Sequence, residues 1–288
     1  MKTKRLVVLG LAVAVILSQS TQSQAMMRSL WSAASGMRAQ QLRMDNISHN
    51  LANVSTTGYK KSRVDFQDLL YQTLISPGTP VALGTRIPTG MQVGVGTKPV
   101  AIQKIYKMGS LYETGNPLDI AITGDGFFQI LLPDGSTGYT RDGSFKMDAD
   151  GKIVTSDGYI LQPEIVIPTD AIDISITPDG SVFVMLAGEI EPTEVGKIET
   201  VKFVNPAGLS AAMGKNILKE TAASGTPFPG IPGTIGLGEL AQGFLEMSNV
   251  QVVDEMVNMI VTQRAYEFNA TAVRTSDQML REAIGLKR

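Results

Sequence analysis

From Met26 to about Asn53 the apolar residues Leu30, Met37, Met44 and Leu51 recur every seven positions, with Ala33, Ala34, Ile47 and Ala52 between them. Side chains that return at this interval share one stripe of a helix. Gly36 is the one glycine inside the segment and costs about 1 kcal/mol there relative to alanine. At about 1.5 Å per residue the helix is roughly 40 Å long. It runs out in NLANVSTTGYKK, residues 50–61, which holds more Asn, Ser and Thr than a helix stop needs and so predicts a loop with a role of its own.

A second helical pattern occupies Met247 to Ile284 and contains neither Gly nor Pro. Ser248 and Gln251 form a capping-box pair, Asp254 and Glu255 fall in the early turns, and Gly285 follows the last turn with Lys287 and Arg288 beyond it. Its stripe runs Val250, Val253, Val257, Ile260, Val261, Ala265, Phe268, Ala272 and Met279, spaced by three and four with one slip of phase near Ile260. The helix is roughly 54 Å long, so two helices of unequal length cannot cover each other fully. The longer one is expected to leave Phe268 or Met279 in need of other partners, and uncovered stripes of that kind mark association surfaces.

Between the helices the pattern changes. Ser76 to Pro99 is too rich in Gly and Pro for a helix and reads as an extended arm. Short apolar runs then alternate with turns such as Pro133-Asp134-Gly135 and Pro178-Asp179-Gly180, which predicts an antiparallel β domain. A Gly/Pro-rich linker follows. The expected organisation is α+β: a segment 1–25, an N-terminal helix and turn over 26–75, an arm over 76–99, a β domain over 100–224, a linker over 225–240 and a C-terminal helix over 241–288, the two helices packed as a coiled coil.

The first 25 residues stand apart. Lys2, Lys4 and Arg5 precede the apolar run Leu6 to Leu17, and Ser23-Gln24-Ala25 offers a small-x-small cleavage site, the layout of a secretory leader. The run is shorter than the roughly 20 apolar residues that span a membrane.

Composition narrows the chemistry. Hydrophobic residues make up 43% of the chain, enough for a packed core, and the net charge of −2 supplies no basic field for nucleic acid. There is no cysteine, which removes disulfides and thiolate chemistry, and His49 is the one histidine. A lone His at the polar edge of a helix has no second His with which to share a metal, so a surface or interface role is expected. Asp148-Ala149-Asp150-Gly151 has its glycine too early for a calcium loop, and Gly94-Val95-Gly96 and Gly124-Asp125-Gly126 lack the third glycine of a dinucleotide site; all three read as turns or bulges. No enzyme, cofactor or metal is expected. Two other classes stay open: an enzyme would gather perturbed titrating groups in a pocket, and a soluble binding module would stay monomeric.

The segment MDNISHNLANVSTTGYKK, residues 44–61, closely resembles the signature of the bacterial flagellar rod and hook axial proteins, and SNVQVVDEMVNMIVTQRAYEFNATAVRTSDQML, residues 248–280, is similar to that family's second signature. YQTLISPG, GVGTKPVA, GDGFFQI and YTRDGSF resemble the distal-rod members more than hook or proximal-rod subunits, the proximal rod being the alternative. The resemblance covers about Met27 to Leu280. It implies a non-enzymatic subunit that stacks helically into the hollow drive shaft crossing the periplasm, carrying motor torque to the hook, with the terminal helices inside and the β domain outside. Its implied partners are other copies of itself, other rod and hook subunits and the surrounding L- and P-ring proteins, with no nucleic acid and no membrane-spanning segment in the mature chain. Asn50, Leu51, Ala52, Asn53, Thr57, Gly58, Tyr59 and Lys60 carry the first motif, and Leu30, Met37, Met44 and Leu51 with Val250, Val253, Val257, Ile260, Phe268 and Met279 carry the stripes. The resemblance further implies that the arm packs between subunits.

Rod subunits of this family travel through the flagellar export channel without a cleaved leader. Residues 1–25 are therefore either a true leader or lie upstream of the real start at Met26 or Met27. Mass spectrometry of whole cells separates the two readings: a precursor peptide carrying Met1 to Ala25 is expected from a leader, and none from an internal start.

Overall fold

The computed structural model describes residues 2–78, 80–82, 85–86, 88–188, 191–211, 214–234 and 236–285. The architecture is α+β, with an N-terminal helix α1 (Lys2–Ala52), a C-terminal helix α2 (Val252–Gly285) and short strands between them. The chain divides into two compact units. One comprises Met1–Ser48, Val64–Ile102 and Met256–Arg288; the other comprises His49–Arg63 and Gln103–Glu255. The backbone of α1 begins at Lys2, so helix also runs through the leader-like segment. Among the described residues no helix is long and apolar enough to cross a membrane.

In the first unit α1 and α2 lie antiparallel. The hydroxyls of Ser29 and Ser276 are 3.2 Å apart, and seven residues further along α1 a Cβ on Gly36 would sit 2.9 Å from Nδ2 of Asn269, seven residues back along α2. Gly36 is thus more than a tolerated weak point. Its missing side chain leaves the space that Asn269 fills, which offsets the conformational cost read from the sequence.

The arm is a folded ribbon rather than a simple extended strand. Ser62–Asp68 bonds to Thr97–Lys104, Gln72–Ile75 pairs antiparallel with Met91–Val93, and Pro80–Ala82 pairs with Thr85–Arg86. Gly and Pro serve here as turn formers: Gly78 takes φ +82, and a Cβ on Gly90 would meet Ile75 O and Pro77 Cδ at 2.6 Å. Helix is excluded by such residues, but hairpin pairing is not.

In the second unit the strand Phe127–Leu131 is the hub. It pairs antiparallel with Thr137–Thr140, Ile160–Gln162 and Thr200–Lys202. Because successive side chains of a strand point to opposite faces, Phe127 and Phe128 enter different cores. Phe128 packs with Ile120, Phe145, Leu161 and Val182; Phe127 packs with Tyr139, Val201 and Phe203, with Tyr106 against them. Edge-to-face ring pairs close the second cluster, Tyr106 to Phe127 at 5.5 Å and Tyr139 to Phe203 at 4.8 Å between centroids.

The expected turns form as their chemistry requires. Gly135 and Gly180 have φ of +77 and +88, and a Cβ on Gly180 would lie 2.4 Å from Ile198 O. Asp148 to Gly151 is the turn between Lys146–Met147 and Ile153–Val154. Two boundaries move. The Gly/Pro linker and the start of the expected C-terminal helix supply three strands, Phe228–Gly230, Glu239–Gln242 and Phe244–Glu246, and α2 starts at Val252. Gln251 O accepts the first helical bond, from Glu255 N at 3.0 Å, and the Ser248 hydroxyl accepts from Val250 N, so the capping pair makes a turn ahead of the helix. Leu240 is buried in the main core, and pairing that side chain with Ile122 draws the segment into a sheet.

Burial raises the Tyr106 phenol to about 12, with Arg141 opposing the shift. A raised acid keeps its proton in the folded state, so the stability it gives is complete below the unfolded phenol range near 10 and is lost as pH climbs toward 12. Tyr106→Phe is therefore expected to lower the pH dependence of the urea midpoint between about pH 10 and 12. Parallel alkaline profiles of the two proteins would contradict this.

Candidate functional site

The second unit brings together the exit from α1 and the approach to α2. The helix stops because Asn53 turns back on it: its Nδ2 donates to His49 O at 2.8 Å, satisfying a carbonyl that the helix end leaves free. Thr56 Oγ1 in turn donates to Asn53 Oδ1 at 3.2 Å. Asn50 is 1% exposed and acts as a strand partner to Ser62, donating from Nδ2 to Ser62 O and accepting Ser62 N–H at Oδ1, both at 2.9 Å. Tyr59 adds its hydroxyl to the same Oδ1 at 3.1 Å and sets its ring edge-on to His49. Residues 50–62 are thereby closed into one loop.

Gly58 has two reasons to be glycine. Its φ is +65, and a Cβ would lie 2.7 Å from Arg141 C and Asp142 N. Its N–H donates to Glu246 O at 2.8 Å, and Thr57 Oγ1 donates to Asp142 Oδ1 at 2.9 Å. The loop is held flat against the YTRD strand end.

Under the loop lies an ion cluster. Lys60 Nζ donates to Glu246 Oε1 and to Lys107 O at 3.0 Å; Arg141 Nη1 donates to Glu246 Oε2 at 3.2 Å and Nη2 to Gly124 O at 2.6 Å; Gly109 N donates to Glu246 Oε1 at 2.9 Å. All three side chains are buried, Lys60 and Glu246 to 2% exposure. Desolvation pushes Lys60 and Arg141 below their ordinary ranges, with Glu246 pulling both back up. Asn249 completes the junction, accepting Lys61 N at 2.7 Å and donating to Ile105 O and Lys107 O.

Among the motif residues named from sequence, Asn50, Gly58, Tyr59 and Lys60 are buried, Leu51, Asn53 and Thr57 partly so, and Ala52 is exposed. Glu246, Arg141 and Asn249 were absent from that reading. Asn249 lies within the second signature segment, Glu246 just ahead of it and Arg141 in YTRDGSF, but the charge of a side chain carries no sign of burial in sequence.

The stripe residues fall in different environments. Leu30, Met37, Met44 and Leu51 are partly buried, and Val250 is buried just ahead of α2. Val253 and Phe268 are each 73% exposed, and Val257, Ile260 and Met279 are also exposed. The positions of α2 that are buried are Glu255, Thr262 and Ser276, and Asn269 is partly so, at intervals of seven. Among the described residues polar side chains thus take the buried positions of α2, with Met259, Val273 and Leu280 partly buried beside them. Phe268 is exposed although its neighbour Asn269 packs against Gly36, so the apolar side chains there are uncovered by face rather than by overhang.

Removing the central carboxylate charge leaves two buried cations without their partner, so Glu246→Gln is expected to cost about 3–5 kcal/mol of stability by urea denaturation. A cost below about 1 kcal/mol would show that the cluster contributes little to the fold.

The chain matches three family models: "Flagella basal body rod protein" over residues 30–60, "Flagellar hook protein FlgE/F/G D1 domain" over 121–184, and "Flagellar basal body rod FlgEFG protein C-terminal" over 241–286. The first and last contain the two halves of the junction. It is 54% identical over 265 residues to the flagellar basal-body rod protein FlgG of Borreliella burgdorferi, covering 91% of this chain and 100% of that one. Identity to FlgG of Buchnera aphidicola subsp. Schizaphis graminum is 49% over 89% of this chain and 98% of that one, and to FlgG of Caulobacter vibrioides 47% over 91% and 100%. A buried structural junction, two helices and a strand-rich centre thus carry the signature segments, and the chain belongs to the FlgG family, structural proteins of the flagellar basal-body rod.

Proposed function

We propose that this protein is a subunit of the distal part of the rod, polymerising helically through its terminal helices into the hollow shaft that passes motor torque to the hook. The observation that carries this reading is the exposed apolar face of α2, with Val253, Val257, Ile260 and Phe268 all more than half exposed. Burying such a face stabilises an assembly by roughly 25 cal/mol for each Å² of apolar surface removed from water. When the face of one copy meets a different face of the next, the contact does not close on itself and generates a filament. In the assembled rod the two helices pack as coiled coils with those of neighbouring copies, α1 and α2 forming the inner tube.

The ribbon over 62–104 then lies between subunits. Leu70 is 90% exposed and Tyr71, Leu74 and Met91 are exposed with it, so the ribbon offers apolar contacts that would resist the sliding a bending tube requires. Other rod and hook subunits meet the ends of the stack, and the L- and P-ring proteins surround it. Residues 1–25 do not take part in the shaft.

Val257→Asp and Phe268→Asp change exposed positions, so each is expected to leave the circular dichroism and monomer stability nearly unchanged, within about 0.5 kcal/mol. Each is expected to abolish incorporation into purified hook and basal-body particles, read by mass spectrometry, while the wild-type chain is found there. Absence of the wild-type chain from the particles, with the protein abundant elsewhere in the cell, would refute the rod reading.

A further inference from the structure

Each terminal helix leaves one stripe uncovered in the single chain, and the two stripes have the same spacing. On α1 the exposed positions Met27, Trp31, Ala34 and Arg38 follow at intervals of four, three and four, and Trp31, the one tryptophan of the chain, is 69% exposed. On α2, read toward its start, the exposed positions Arg264, Ile260, Val257 and Val253 also follow at four, three and four. At 3.6 residues per turn each set stays within about 60° of the helix surface. Gly36 and Asn269, which meet across the helix pair, stand about half a turn round from these stripes. The stripe of α1 therefore points away from α2, and the stripe of α2 away from α1.

Faces directed outward on opposite sides cannot meet within one chain, but a second copy moved sideways in the same orientation brings its α2 stripe onto the α1 stripe of the first. The two helices then run antiparallel, as they do within the chain, and the equal spacing lets the positions pair one to one. Trp31 falls opposite Ile260 and Ala34 opposite Val257, with Met27 beside the stem of Arg264 and Arg38 beside Val253 and the exposed Asp254 carboxylate. A slide of seven residues one way would set Trp31 against Glu267 and Ala34 against Arg264; a slide the other way would set Ala34 beyond the start of α2 at Val252. The polarity of the positions and the opposite charges of Arg38 and Asp254 thus select one register.

We infer that the occupant of the α2 stripe is a second copy of this chain, which docks the Met27–Arg38 face of its α1 there with Ala34 opposite Val257. The inference rests on the reading of the protein as a self-assembling rod subunit and names the contact through which it assembles. It also sets an axial step. Within one chain Ser29 stands level with Ser276 and Gly36 with Asn269, so Ala34 stands level with Thr271. Between copies Ala34 stands level with Val257, fourteen residues earlier on α2, which at about 1.5 Å per residue offsets neighbours by roughly 21 Å. A contact between two different faces, staggered at every step, climbs as a helix and does not close into a flat ring.

The chain has no cysteine, so introduced pairs can be read without background. Ala34→Cys combined with Val257→Cys, oxidised in purified hook and basal-body particles, is expected to give dimers and higher multiples of the chain on a non-reducing gel. Neither single variant is expected to do so. Ala34→Cys with Met279→Cys is also expected to give none, because Met279 lies roughly 33 Å along α2 from Val257 and a disulfide needs Cα atoms within about 7 Å. Should the cysteine pair not be incorporated, charge decides: Arg38→Asp is expected to lower incorporation about fivefold, and Asp254→Arg in the same chain to restore it. Absence of the wild-type chain from the particles would overturn the rod reading and this contact with it. Incorporation of the pair without a ladder, a ladder from the Met279 pair, a band joining the chain to a different polypeptide, or full incorporation of Arg38→Asp would overturn the contact alone, as would a loss in Arg38→Asp that Asp254→Arg does not restore.

Discussion

The buried Glu246 carboxylate is the contact on which the junction of the chain depends. It is approached by Lys60 from the loop after α1, by Arg141 from the end of a sheet strand and by the backbone of Gly109, so three remote segments converge on one group. Burying a carboxylate is costly unless it is paired and hydrogen-bonded, and here both oxygens are engaged. The same requirement makes the arrangement specific. Any shift of the loop relative to Phe244–Glu246 strands a charge, whereas a shift of purely apolar contacts would be tolerated more easily. Asn50 and Asn249 extend the principle to neutral groups: Asn50 uses its amide to satisfy both backbone groups of Ser62, and Asn249 bonds backbone groups of Lys61 and Ile105, on segments far from it in sequence.

This polar junction explains why the motif is rich in Asn, Thr and Gly. Asn53 caps a carbonyl of the helix, Thr57 donates to the Asp142 carboxylate and Gly58 N–H to Glu246 O, and Gly58 admits a close approach to the Arg141–Asp142 backbone that any Cβ would block. A loop fixed by charge-assisted hydrogen bonds resists displacement better than a merely short one. The helical faces show a matching division. On α2, Thr262, Asn269 and Ser276 take the covered positions while Val257, Ile260 and Phe268 take the exposed ones. Within a single chain this wastes apolar surface; in a polymer it reserves that surface for other copies.

Much of this was legible in the order of residues. Helix periodicity, the absence of Gly and Pro over 247–284 and the turn chemistry of Pro-Asp-Gly placed both helices and the strand-rich centre, because these signals act over a few residues and report local backbone preference directly. The Gly/Pro-rich linker expected over 225–240 contains paired strand. Its Gly and Pro residues do break helix, but Leu240 and the backbone of Glu239–Gln242 find partners in Ile120–Thr123, more than a hundred residues away, and no local pattern reports such pairing. The arm shows the same effect, its turn residues proving to be the bends of a ribbon.

The sequence by itself determined the class of fold, the positions of the terminal helices, the family and the motif that ends α1, all of which rest on short-range periodicity and on residue types with strong local preferences. Only the tertiary structure decided which face of α2 is covered, why Gly36 stands opposite Asn269, and that Lys60, Arg141 and Glu246 form one buried cluster. Those outcomes depend on which distant segments meet. Burial and pairing belong to that meeting, and a charged residue reads the same in sequence whether it faces water or a single carboxylate in the interior.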